Sequence, residues 1–146
     1  MSEFSPLKNY NARLVTFVWG NIQADGVADG EWLTAESDED DTTLYVGTDG
    51  SATLARNNNF SGTITVRLAQ SSATNDAYSA EHTLFRNGPP GSGIHPMLIR
   101  DASGRTVLQA QSCWIQKRPP VTFGREATER EWTFRTNNLI TNIAGN

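Results

Sequence analysis

The sequence predicts a mainly β fold, a sandwich-like or barrel-like subunit carrying one α-helix, and three observations lead there. Residues 60–68 alternate, with Phe60, Ile64, Val66 and Leu68 facing one way and Ser61, Thr63, Thr65 and Arg67 the other. That is the period-2 pattern of a half-buried strand. Clusters of Gly, Asn, Asp and Ser interrupt the chain at short intervals, as a hairpin-rich fold requires. One stretch alone, residues 75–87, spaces its apolar side chains as a helix does.

At 146 residues, 37% hydrophobic and 19% charged, the chain suffices for one domain with its own core. Residues 10–138 form that domain, between an N-terminal arm at 1–9 expected to be flexible and a polar C-terminal tail at 139–146 expected to be loose.

In chain order, residues 10–19 read as a strand apolar on both faces, with Val15, Phe17 and Trp19 opposite Leu14, Thr16 and Val18. Gly20 and Asn21 turn it into a short strand near Ile22. From Asp29 to Ala69 four runs separated by an acidic turn, an Asp-Gly turn and an Asn-rich turn read as a four-stranded meander. Asn75 or Asp76 then caps a helix of about three turns, with Ala77, Ala80 and Leu84, flanked by Phe85, as its buried stripe and Gly88-Pro89 ending it. Strands follow at 95–101 and 106–117, Pro119 and Pro120 interrupt pairing, and 126–137 is the last strand. In that strand Thr128, Arg130, Trp132 and Phe134 share one face.

Net charge is −4, unevenly placed: residues 1–73 hold four Lys/Arg against ten Asp/Glu, residues 74–146 eight against six. Halves segregated in space would attract a second copy head to tail, the contact that makes rings or filaments; interleaved in one sheet they cancel. Direct phosphate binding needs a basic surface, and Glu126, Glu129 and Glu131 intersperse Arg118, Arg125, Arg130 and Arg135, a pattern that favours a salt-bridged strand.

Chemistry-bearing motifs are few. The acidic residues Glu36, Asp38, Glu39, Asp40 and Asp41 lack the glycine and glutamate positions of a calcium loop, so a solvated turn or an interface facing arginines of another subunit is the better reading. His82 and His95 have neither a Gly-x-Ser-x-Gly nor a cysteine near them in sequence. Cys113 sits beside Trp114 as a small buried thiol, and no Gly-rich segment has phosphate-loop order. No catalytic residue, metal or cofactor is expected. The start carries no secretory pattern and no stretch approaches a membrane span, so synthesis in a cytoplasm and no membrane insertion are the expectations.

Three segments, DGEWLTAESDEDDTTLYVGTDG with SGTITVRLAQSSATNDAYSA, HPMLIRDASGRT and VTFGREATEREWTF, resemble the tail tube proteins of contractile-tailed bacteriophages, relatives of the pyocin and type VI secretion tubes. The resemblance spans roughly residues 10–138, with Phe-Gly-Arg-Glu and Arg-Glu-Trp its most distinctive part. It implies a virion protein made in the host cytoplasm, whose strands join an intersubunit β-barrel. Hexameric rings would stack into a tube that conducts DNA without binding it specifically, with the tail sheath, baseplate and terminator as partners. Twenty-four strands about 4.8 Å apart and tilted about 45° give a diameter near 50 Å, enough for a duplex. Under this resemblance Thr43, Tyr45, Thr63, Thr65 and Arg67 are the lumen candidates, Arg67 being the awkward cation, and the acidic turn is an inter-ring or intersubunit contact. Replacing Asp40 and Asp41 with lysine is then expected to weaken assembly. The helix is expected outside the barrel, towards the sheath. The competing readings are a tail terminator ring and a non-catalytic β-sandwich binding module using Trp19, Trp32, Trp114 and Trp132 as platforms, although tryptophans within strands more often pack a core.

Overall fold

The computed structural model describes residues 10–145; the arm at 1–9 lies outside the described residues. After a short 3-10 turn at Ala12–Leu14 the chain forms β1 (Val15–Trp19), β2 (Ile22–Gln23), β3 (Leu33–Ser37), β4 (Thr42–Val46), β5 (Ala52–Arg56) and β6 (Gly62–Ala69). Helix α1 (Thr74–Asn87) follows, then β7 (His95–Asp101), β8 (Val107–Lys117), β9 (Glu129–Thr136) and β10 (Ile140–Asn142). The fold is mainly β with one helix, as the alternation and turn chemistry require.

One antiparallel sheet runs β2-β1-β7-β8-β9-β6-β3, with β10 added on β8. It curls without closing into a barrel. Residues 24–28 strap one end of it to the other: the Ala24 amide donates to the Phe17 carbonyl of β1, while the Ala28 amide donates to the Arg67 carbonyl and the Ala69 amide to Gly26 beside β6. Inside the curl lie Phe17, Trp19, Ile64, Val66, Leu68, Cys113, Ile115 and Phe134, all essentially without exposure. Trp19 is the keystone. Its ring meets Tyr78 and Phe134 edge-on at 5.8 and 5.1 Å, and its indole N–H donates to the Cys113 carbonyl at 2.8 Å, so a buried aromatic has its polar atom satisfied.

The expected meander is instead one long bent hairpin. β3 pairs with β6 and β4 with β5, so β3 and β4 form one leg, β5 and β6 the other, and the acidic and Asn-rich turns are a kink shared by both legs. The four runs were legible but their partners were not, because alternation fixes a face and leaves the neighbour open. Phe60, expected to be buried with Ile64, is 57% exposed, since it precedes β6 and lies beyond the curl.

The helix spans four turns, and neither Asn75 nor Asp76 precedes it; both fall within its first turn. Its buried stripe is Thr74, Tyr78 and His82, with Leu84 and Phe85 turned outward. Tyr78 wins the core position because its ring fills the space over Trp19, Trp132 and Phe134, which an alanine cannot. Asn75, held by the Trp132 indole N–H at 2.9 Å, ties the same face to β9. Beyond the helix, Gly93 has φ +76, and a Cβ there would meet Phe85 at 2.5 Å, so only glycine lets the loop return this close.

β9 starts three residues later than the sequence suggests, and the first strand starts at Val15. The tail expected to be loose instead adds β10 to the first residues of β8.

Candidate functional site

The kink of the bent hairpin is built on Asp38. Its Oδ1 accepts from the Thr63 hydroxyl at 2.5 Å and its Oδ2 from Arg135 Nε and Nη2 at 3.1 and 2.6 Å. Burial alone pushes this carboxyl up, but hydrogen bonds from Thr63, Ser61 and Arg135 together hold it below its ordinary value. The arginine expected from another subunit is thus supplied by β9 of the same chain. Glu39 accepts from the Asn57 side-chain amide at 2.6 Å, which fastens the acidic turn to the opposite leg and lowers its carboxyl. Asp40 and Asp41 are exposed. Glu36 belongs to β3, directly across from Thr63, so it shares the outward face of the sheet and is not part of the turn.

Beyond the kink, β4 and β5 form a separate two-stranded sheet in which every residue is exposed. Register divides its faces: Leu44 opposes Leu54 and Val46 opposes Ala52 on one, Thr43 opposes Ala55 and Tyr45 opposes Thr53 on the other. Leu44 and Leu54 are 63% and 60% exposed. A face of this composition is built for burial, yet nothing among the described residues covers it.

The five lumen candidates fall in two groups. Thr43 and Tyr45 occupy the polar face of the free hairpin; Thr63, Thr65 and Arg67 lie on the outward face of β6, beside Arg135, Thr133 and Glu131 of β9. Arg67 is the cation directly opposite Glu131, with Nε 3.0 Å from its carboxylate. Both arginines of this face, Arg67 and Arg135, therefore carry an acidic partner.

Sequence reasoning missed a second region. Between α1, the end of β8 and the loop at 118–128 lies an open cleft of about 850 Å3. Arg86, Lys117, Arg118 and Arg130 line it, with no Asp or Glu. The in-strand pairing expected of Arg130 does not occur, because alternation puts Glu129 and Glu131 on the opposite face. A run of cations around Pro119-Pro120 was the available signal.

The remaining chemical groups are quiet. Cys113 is buried and burial pushes its thiol up to about 12. His95 Nε2 lies 2.7 Å from Glu81, joining β7 to α1, and no group of three potential metal ligands occurs among the described residues. Trp19 and Trp132 are core residues, so they offer no stacking platform. No helix among the described residues is long and apolar enough to cross a membrane.

Comparison with known proteins bears on the family and the fold. "Structural protein ORF10" of Pseudomonas phage KPP10 is 31% identical over 121 residues, 83% of this chain and 70% of that protein. Among solved structures, the tube terminating cap of the anti-feeding prophage is similar with a TM-score of 0.63 at 10% identity, covering 98% of this chain and 97% of its own. The sheath/tube terminator of an extracellular contractile injection system is similar at 0.57 and 12% identity, covering 97% and 100%. At such identities these two likenesses speak for the fold alone. Residues 1–144 match the family described as the bacteriophage PhiTE tail tube protein, and this chain belongs to that family.

Proposed function

We propose that this chain is a non-catalytic structural protein of the phage tail, whose copies form hexameric rings that stack into the inner tube and conduct DNA during ejection. The observation that carries the reading is the free hairpin of β4 and β5: its apolar face and both hydrogen-bonding edges are left open by its own subunit, and a neighbouring copy is the surface that completes them. Thr43 and Tyr45, on the other face of that hairpin, and Thr63, Thr65 and Arg67 of β6 are the lumen candidates. A wall that lets DNA slide must not offer free cations. The pairing of Arg67 with Glu131 and of Arg135 with Asp38 suits that requirement and removes the objection that Arg67 raised. The acidic turn serves contacts between copies, and α1 faces outward to the sheath; the baseplate and terminator close the ends. The reading calls for no cofactor.

A tail terminator ring is the second reading, favoured by the fold likeness to the tube cap and terminator. Negative-stain microscopy of the purified chain separates them: stacked tubes favour the first, single rings that do not stack the second. Replacing Leu44 and Leu54 with serine tests both. These positions are already exposed, so the subunit keeps its fold, with stability within about 0.5 kcal/mol, while rings are lost. Rings that survive the double substitution refute the role given to the hairpin.

A further inference from the structure

Arg130 is the clue to the basic cleft. It is 8% exposed, its Nη1 donates to the Thr128 hydroxyl at 2.8 Å, and its guanidinium stands 5.6 Å from the centre of the Phe123 ring. Among the described residues it has no carboxylate partner. A buried cation without an anion is costly, and here three further cations, Arg86, Lys117 and Arg118, look into the same recess. His82 on its wall has its protonation depressed, by burial first and then by Arg118 and Arg86. Between the charges the lining is apolar, with Ile115, Val121 and Trp132. Such a lining suits an acidic segment with some apolar surface.

The same chain carries such a segment at its other end. Arg130 and Trp132, at the cleft, begin β9; Arg135, which holds the acidic turn, ends it. Five residues of strand put the two regions roughly 17 Å apart along one axis. Asp40 and Asp41 make no ion pair among the described residues, and they lead directly into the exposed apolar face of Leu44 and Val46. Unpaired acid at one end and unpaired base at the other make a surface complementary to a translated copy of itself, the heterologous kind of contact that propagates.

We propose that the acidic turn of one copy, through Asp40 and Asp41, seats in the cleft of the next copy against Arg86, Lys117, Arg118 and Arg130. This rests on the tube-subunit reading and adds to it a specific, directional contact. A recess whose cations are interrupted by Ile115, Val121 and Trp132 suits a turn of polypeptide better than a duplex, whose phosphates need a continuous basic track.

Two variants of the full chain test it: Arg86→Glu with Arg118→Glu, and Asp40→Lys with Asp41→Lys. All four positions are exposed, and matching circular dichroism and thermal unfolding establish that both variants fold. Each alone is expected to lose assembly about tenfold or more by sedimentation, because the cleft of the first variant keeps no net charge to attract the acidic turn, and the turn of the second sets two lysines against four cations. Mixed in equal amounts they are expected to recover it, since each variant's turn now matches the other's cleft. A cleft variant that assembles like the unmodified chain overturns the proposal, and so does a mixture that fails to recover. Binding of a short DNA duplex lost only in the cleft variant, with assembly unchanged, overturns it in favour of phosphate binding. If the unmodified chain forms neither rings nor tubes, the tube reading falls. The cleft contact then stands or falls on whether the two variants associate with each other and not with themselves.

Discussion

Arg135 reaches Asp38 across 97 positions of chain and places two guanidinium nitrogens on a single carboxylate oxygen, at 2.6 and 3.1 Å. The pair joins the central strand β9 to the kink of the bent hairpin, where it acts with the Thr63 hydroxyl and with the bonds from Asn57 to Glu39 and Asp41 to hold β4 and β5 against the sheet's end.

Removing that carboxylate with Asp38→Asn is expected to cost about 1–2 kcal/mol, a charge-assisted bond discounted because Arg135 is partly solvated. Urea unfolding checks it. The Asp38 carboxyl is held below its ordinary 3.8 in the fold. Its contribution is therefore complete above the unfolded-state value and is lost as pH falls through the lower folded one. The difference between Asp38→Asn and the unmodified chain is expected to vanish in that acidic window, and a difference independent of pH contradicts the assignment.

His82 acts in the same direction, in a window nearer neutral pH. Its folded value lies below its ordinary 6.5, through burial first and then Arg118 and Arg86, so the unfolded chain binds the proton more readily. Stability is expected to fall as pH drops below 6.5, and Arg118→Glu is expected to raise the imidazole's titration midpoint, read from its ring proton shifts by NMR.

The Tyr78 hydroxyl is buried without a hydrogen-bond partner among the described residues, and burial, with Cys113 and Asp25 adding to it, pushes its ionisation above the usual range. Tyr78→Phe removes an unsatisfied group and keeps the ring contacts. It is expected to raise stability by up to about 1 kcal/mol, where Tyr78→Ala is expected to cost about 3–5 kcal/mol. Thermal melts of the two variants decide.

Cys113 is expected to resist a thiol reagent at pH 8 in the folded protein and to react promptly in denaturant, because burial both hides the sulfur and suppresses its thiolate. Labelling at equal rates in the two states would mean that the sheet opens there.

The fold was legible wherever a residue's own periodicity decides its place. Ile64, Val66 and Leu68 alternate into the core, and Trp132 and Phe134 do the same on the strand that pairs with them. Gly88 and Pro89 stop the helix where chemistry says they must. Pairing was not legible, because β3 seeks β6 across a 15-residue hairpin that reads locally as two more strands of one sheet. The helix face was misjudged since apolarity favoured Ala77 and Leu84, whereas volume favoured Tyr78. At the site, the acidic turn could be found but its partner could not: nothing in the neighbourhood of Asp38 announces Arg135. The cleft was hidden for a similar reason, as its four cations come from a helix, a strand end, a loop and a second strand.

The place of β9 has a consequence for synthesis. It lies between β8 and β6 in the middle of the sheet, yet it is translated after β1 to β8, long after Trp19 and Phe17, which it helps to bury. The nascent polypeptide cannot shut its interior until β9 has left the ribosome, so the core closes in one step that waits for this strand. Products that stop before β9 have no finished half to offer.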